Sequence, residues 1–179
     1  MKRITTIIAI LLTIISIGCK SETPIDDLPL VTQKVPENNV EVVIDAEVEE
    51  DDTFQVFYTE DGSLNFGDKN VRTTIQGSDD EQQVIFTLPD SSKPNNLRID
   101  IGENLAQKQI KINKITVKYY GKKTVINGSD LLKYFRYNEF VDINIANRTI
   151  TYKQVPGKEY DPMLYPEPLL TTVLTKLVQ

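Results

Sequence analysis

The stretch Phe54-Gln-Val-Phe-Tyr-Thr59, continued by Val71-Arg-Thr-Thr-Ile-Gln76, Gln83-Val-Ile-Phe-Thr-Leu88, Leu97-Arg-Ile-Asp-Ile101 and Ile110-Lys-Ile-Asn-Lys-Ile-Thr-Val-Lys-Tyr119, decides the fold. Short runs rich in β-branched and aromatic residues, separated by polar or Gly/Pro spacers, predict antiparallel strands of a sandwich. In the first run Phe54, Val56 and Tyr58 share one face and Gln55, Phe57 and Thr59 the other. Leu97, Ile99 and Ile101 point one way while Arg98 and Asp100 point the opposite way. In the last run the apolar positions change parity, from Ile110 and Ile112 to Ile115, Val117 and Tyr119. One extra residue near Asn113-Lys114 accounts for this, and a β-bulge is the usual device.

Upstream, Val40, Val42, Ile44, Ala46 and Val48 alternate with Glu41, Asp45 and Glu47, the pattern of a half-buried strand. Asp61-Gly62-Ser63 breaks the next strand, and Phe66 lies in the long connection to Val71. Asp79-Asp80-Glu81 reads as an acidic turn. Downstream of Gly121, Ser129 or Asp130 is placed to cap a short helix through Leu131, Leu132 and Phe135. Phe140 to Ile145 and Thr149 to Gln154 read as a hairpin. Leu169, Leu170, Val173, Leu174 and Leu177 recur at helical spacing behind Pro168, which suits a first helical turn. The expected fold is mainly β: an antiparallel jelly-roll-like sandwich over residues 40–121, with an extension over 122–179 of short helix, hairpin and terminal amphipathic helix packed on it.

The N-terminus carries the most specific motif. Met1-Lys2-Arg3 and the uncharged run from Ile4 to Gly18 have the form of a secretory signal. That run is shorter than the ~20 residues a membrane-spanning helix needs. Ser16-Ile17-Gly18-Cys19 resembles the lipobox of Bacteroidetes-type bacterial lipoproteins, with Ser16 where Leu is usual. The resemblance implies cleavage after residue 18, lipidation of Cys19, and anchoring to the outer membrane, at the cell surface or the periplasmic face. Several acyl chains, at about 0.8 kcal/mol per buried CH₂, give stable anchoring without a span. Residues 19–39 hold Pro24, Pro29 and Pro36 among acidic residues and read as a linker.

Composition then removes whole classes of function. The 179 residues include no His, no Trp and one Cys, with a formal charge of −6. Loss of residues 1–18 takes Lys2 and Arg3 with it, leaving 18 basic against 26 acidic residues and a charge of −8. An acidic chain with no basic stripe is unsuited to nucleic acid. Without imidazole there is no Ser-His-Asp or Cys-His nucleophile system, and Cys19 belongs to the lipid. The acidic runs lack calcium-loop spacing. No metal, no cofactor and no catalysis are expected, and a hydrolase working with carboxylates alone is the remaining enzymatic reading.

The strand order and the Ile-x-Ile-x-x-Ile-x-Val form of residues 110–117 are similar to galactose-binding-like jelly rolls, the fold of many carbohydrate-binding modules. That resemblance covers residues 40–121 and implies a non-catalytic module binding glycan or a protein partner in an envelope carbohydrate system. The residues opposite the core supply the chemistry: Phe57 beside Gln55, Arg98 and Asp100, bordered by Tyr58 and by the loop from Asp61 to Phe66. A ring, a guanidinium and a carboxylate on neighbouring strands are what a pyranose face and its hydroxyls require. Packing of Phe57 under the C-terminal segment, with Arg98 paired to Asp100, is the competing use of these side chains. The other functional expectation is an assembly role through edge strands or the terminal helix.

Overall fold

The computed structural model describes residues 39–179, so the expected signal segment, the expected lipidation at Cys19 and the expected linker lie outside the described residues, apart from residue 39. Strands β1 (Val40–Val48), β2 (Asp52–Thr59), β3 (Asn70–Ile75), β4 (Ser78–Thr87), β5 (Asn96–Asp100) and β6 (Gln109–Tyr119) come first. They are followed by β7 (Lys122–Asn127), helix α1 (Leu131–Tyr134), β8 (Phe135–Tyr137), β9 (Val141–Asn144), β10 (Thr149–Tyr152), β11 (Met163–Pro166) and helix α2 (Pro168–Leu177). Two antiparallel sheets pack against each other as a β-sandwich. One has the order β4-β1-β6-β10-β9, with β7 also on β6; the other has β3-β2-β5-β11-β8. The chain passes repeatedly between the two, as in a jelly roll.

Alternation explains the core. Val40, Val42, Ile44, Ala46 and Val48 of β1 are buried, as are Phe54, Val56 and Tyr58 of β2 and Leu97 and Ile99 of β5. The parity change in β6 is a bulge. Asp45 pairs with Lys114 but Ala46 pairs with Ile112, leaving Asn113 as the extra residue. At the same place the far edge of β6 changes partner, from β7 at residues 114–119 to β10 at residues 109–111. Asp45 shares the outward face with Glu41 and Glu47 yet is 4% exposed, covered by Gln83 Nε2 at 2.9 Å and Lys114 Nζ at 3.6 Å.

The short helix, the hairpin and the terminal helix are present, and the C-terminal third is integral to the sandwich. Strand β10 bonds to β6, β11 bonds to β5, and β8 completes the same sheet. Leu170, Leu174 and Leu177 of α2 lie in the core, so the helix spends its apolar face on its own domain. Three local expectations are corrected. Asp79-Asp80-Glu81 lies within β4, at a register shift where Ser78 pairs with Val48 and Gln82 with Ala46, so the triplet spans an irregularity of the strand and is not a turn that ends it. Phe135 begins β8 and does not extend the helix. Asp130 makes no side-chain cap, its carboxylate instead accepting from Lys133 Nζ at 2.6 Å. Among the described residues no helix is long and apolar enough to cross a membrane.

Candidate functional site

The outer face of the five-stranded sheet follows from the core pattern. Burying Phe54, Val56 and Tyr58 turns Gln55 and Phe57 outward; burying Leu97 and Ile99 turns Arg98 and Asp100 outward. Antiparallel register then sets Phe57 opposite Arg98 and Gln55 opposite Asp100. The Arg98 guanidinium carbon lies 3.9 Å from the Phe57 ring centroid and 5.8 Å from that of Phe66. Arg98 Nε and Nη2 donate to the two carboxylate oxygens of Asp100 at 2.9 and 2.8 Å. The pair is largely shielded, with side chains 18% and 17% exposed. Burial raises the Asp100 pKa despite the Arg98 bond that opposes it.

Asp100 and Gln55 floor one side of a cleft of about 560 Å³. Gly102 and Glu103 continue the floor, and Phe140 with Lys158, Glu159, Tyr160 and Asp161 forms the facing wall. Basic groups around it are engaged: Arg72 Nη2 meets Glu103 at 2.5 Å, and Lys158 pairs with Glu139. The cleft is therefore acidic. Asp161 is pushed up from the usual carboxylate range by partial burial, with Arg98 opposing. Tyr160 packs edge-on against Phe140 at 5.9 Å and lies 6.4 Å from Tyr152. Burial, with the Asp52 charge adding to it, raises the Tyr160 phenol to about 12.

Beneath the floor, Asp52 Oδ1 accepts from the backbone N–H groups of Thr53, Glu103 and Asn104 at 2.8, 2.7 and 3.0 Å. The Tyr152 hydroxyl donates to the Ile101 carbonyl alongside. These bonds fix the strand end that presents Gly102 and Glu103 to the cleft.

Of the seven residues expected at the site, the structure brings together Gln55, Phe57, Phe66, Arg98 and Asp100. Tyr58 points into the core, 6% exposed, where its hydroxyl accepts from Ser92 Oγ at 3.4 Å. Asp61 turns into its own loop, accepting from the Ser63 N–H at 2.9 Å, and that bond lowers its pKa. The facing wall, residues 158–161, escaped the sequence reading. Pro156-Gly157 and Asp161-Pro162 mark it as a loop, the kind of segment that carries function, but nothing local says it returns to β5. Among the described residues no three His, Cys, Asp or Glu side chains converge as a metal site requires. No known protein family matches the chain, and neither a curated protein nor a solved structure shows significant similarity to it.

Proposed function

We propose that the chain is a lipid-anchored envelope protein whose sandwich binds glycan, without catalysis, on the outer face of the five-stranded sheet. The observation that carries this reading is the Phe57–Arg98–Asp100 cluster, whose Asp100 lines the acidic cleft. A guanidinium held over a ring and fixed by a carboxylate is already ordered when a sugar arrives, which lowers the entropic cost of binding. Carboxylates and the Gln55 amide offer acceptors for sugar hydroxyls, and Tyr160 adds an aromatic wall. Asp100, tied at both oxygens by Arg98, suits an orienting acceptor better than a proton donor. Cys19 and the sequence around it support the anchor, and the acidic charge supports a partner other than nucleic acid.

Titrating the purified chain against a panel of soluble glycans tests this. At least one class is expected to bind, with affinity reduced at least tenfold in Phe57→Ala and Arg98→Ala while the melting temperature stays close to that of the parent. Glycosidase turnover above background, or binding untouched by both substitutions, contradicts it.

A further inference from the structure

On the same outer face, β11 and β8 continue what β2 and β5 begin. Met163 pairs with Asp100 and Leu164 with Ile99, so Tyr165, the next residue of β11 with outward parity, lies on the same face as Arg98. Tyr165 in turn pairs with Arg136 of β8, whose guanidinium carbon lies 5.4 Å from the Tyr165 ring centroid. Ring and guanidinium thus alternate across four strands as Phe57, Arg98, Tyr165, Arg136. Where Arg98 is shielded and neutralised, the Arg136 side chain is 51% exposed. It donates to the Pro166 carbonyl at 3.1 Å and stands 3.8 Å from Glu167.

Arg136 also lines a groove of about 780 Å³ that is bounded by the Gly62–Leu64 turn and the polar side of α2. That side presents hydroxyls: Thr171, Thr172 and Thr175 line it, and the first two donate to Asn96 Oδ1 and the Pro168 carbonyl, which leaves their oxygens able to act as acceptors. Leu64, 50% exposed, supplies an apolar edge. Phe57 to Arg136 spans three inter-strand steps, about 14 Å. That is several times the footprint of the Phe57–Arg98 stack and is continuous with it.

We infer that Tyr165 and Arg136 form a second subsite, and that the ligand is a linear oligosaccharide lying across the strands from the acidic cleft toward the α2 groove. This rests on the glycan reading of Phe57 and Arg98 and adds length and direction to it. A row of rings and guanidinium groups leading toward the hydroxyls of α2 matches a chain of pyranose rings better than the alternating side chains of an extended peptide.

The test is calorimetric titration of the purified chain with neutral linear oligosaccharide ladders of one to six residues, from β-glucan, xylan and mannan. In the series that binds, affinity rises at least tenfold between two and four residues. Arg136→Ala and Tyr165→Ala each lose that gain, Tyr165→Phe keeps it, and Arg98→Ala weakens every length; melting temperatures confirm that the variants are folded. Affinity flat with length, or a gain that survives both alanine substitutions, overturns the second subsite and leaves the glycan reading standing. Failure of every ladder to bind overturns the linear-oligosaccharide inference, while the glycan reading itself falls only if the wider panel also fails to bind.

Discussion

Gly102 lies against the Asp52 carboxylate so closely that a Cβ at position 102 would sit 2.5 Å from Oδ2. Its φ of +135° is also one that L side chains rarely adopt. The same carboxylate holds the Glu103 and Asn104 amides, so the cleft floor depends on this contact. Gly102→Ala is expected to cost about 2 kcal/mol or more from backbone strain and displacement of Asp52. Asp52→Ala, which leaves three amides without their acceptor, costs about 3 kcal/mol. Urea denaturation of both variants measures this, and a change within about 0.5 kcal/mol of the parent would show that the contact carries no strain.

The bulge at Asn113 makes an unusual demand on a deletion. Removing Asn113 joins Ile112 to Lys114 and restores unbroken alternation through Ile110, Ile112, Ile115 and Val117, all of which stay inward. It also removes a buried side-chain oxygen that has no hydrogen-bond partner. The deletion is expected to fold, at a cost below about 2 kcal/mol. Deleting Thr116 instead turns the fully buried Val117 to the outside and is expected to abolish the cooperative melt. Circular dichroism of the two deletions separates them.

Helix α2 belongs to the core. Leu174→Ala should cost about 3 kcal/mol. Removing residues 168–179 withdraws three leucines, each contributing about 2 kcal/mol or more, which is comparable to the whole stability of a small domain. The truncated chain is expected to be unfolded by near-ultraviolet circular dichroism. A folded truncation would mean that the helix only decorates the surface.

Tyr152 and Tyr160 set the alkaline limit. Burial raises Tyr152 well above the ordinary 10 and Tyr160 to about 12, the Asp52 charge adding to both. Because the unfolded chain ionises these phenols near pH 10 and the folded chain does not, their contribution is intact below pH 10 and is lost as the pH climbs toward and past 12. Tyrosinate absorbance should therefore show late-ionising phenols, one fewer in Tyr160→Phe, with a shallower fall in melting temperature above pH 10. Ionisation of all eight tyrosines near pH 10 would contradict the packing around Asp52.

What the sequence carried was periodicity. Two-residue alternation identifies β1, β2, β5 and the two phases of β6, and so places Gln55 and Phe57 on one face of β2 and Arg98 and Asp100 on one face of β5. Strands β8 and β11 are short and sit beside a helix or prolines, which hides their period: β8 is Phe135-Arg136-Tyr137 directly after α1, and β11 is Met163-Leu-Tyr-Pro166 between prolines. Strand β4 hid its first half behind Asp79-Asp80-Glu81, whose local chemistry reads as a turn although Ser78 and Gln82 on either side pair with β1. The facing wall of the cleft was invisible for a different reason. Tyr160 and Asp161 meet Asp100 only because β10 and β11 join opposite sheets and the loop between them crosses the sandwich, a long-range fact without a local signature.

The central claim, that the outer face of the five-stranded sheet is the binding face, is tested most directly by following backbone amide resonances of the isotope-labelled chain during titration with soluble oligosaccharides. The account predicts that perturbed amides cluster at Gln55, Phe57, Arg98, Asp100, Tyr160 and Tyr165. Perturbations centred on the opposite sheet, around Asp45 and Lys114, or none for any glycan, would contradict it.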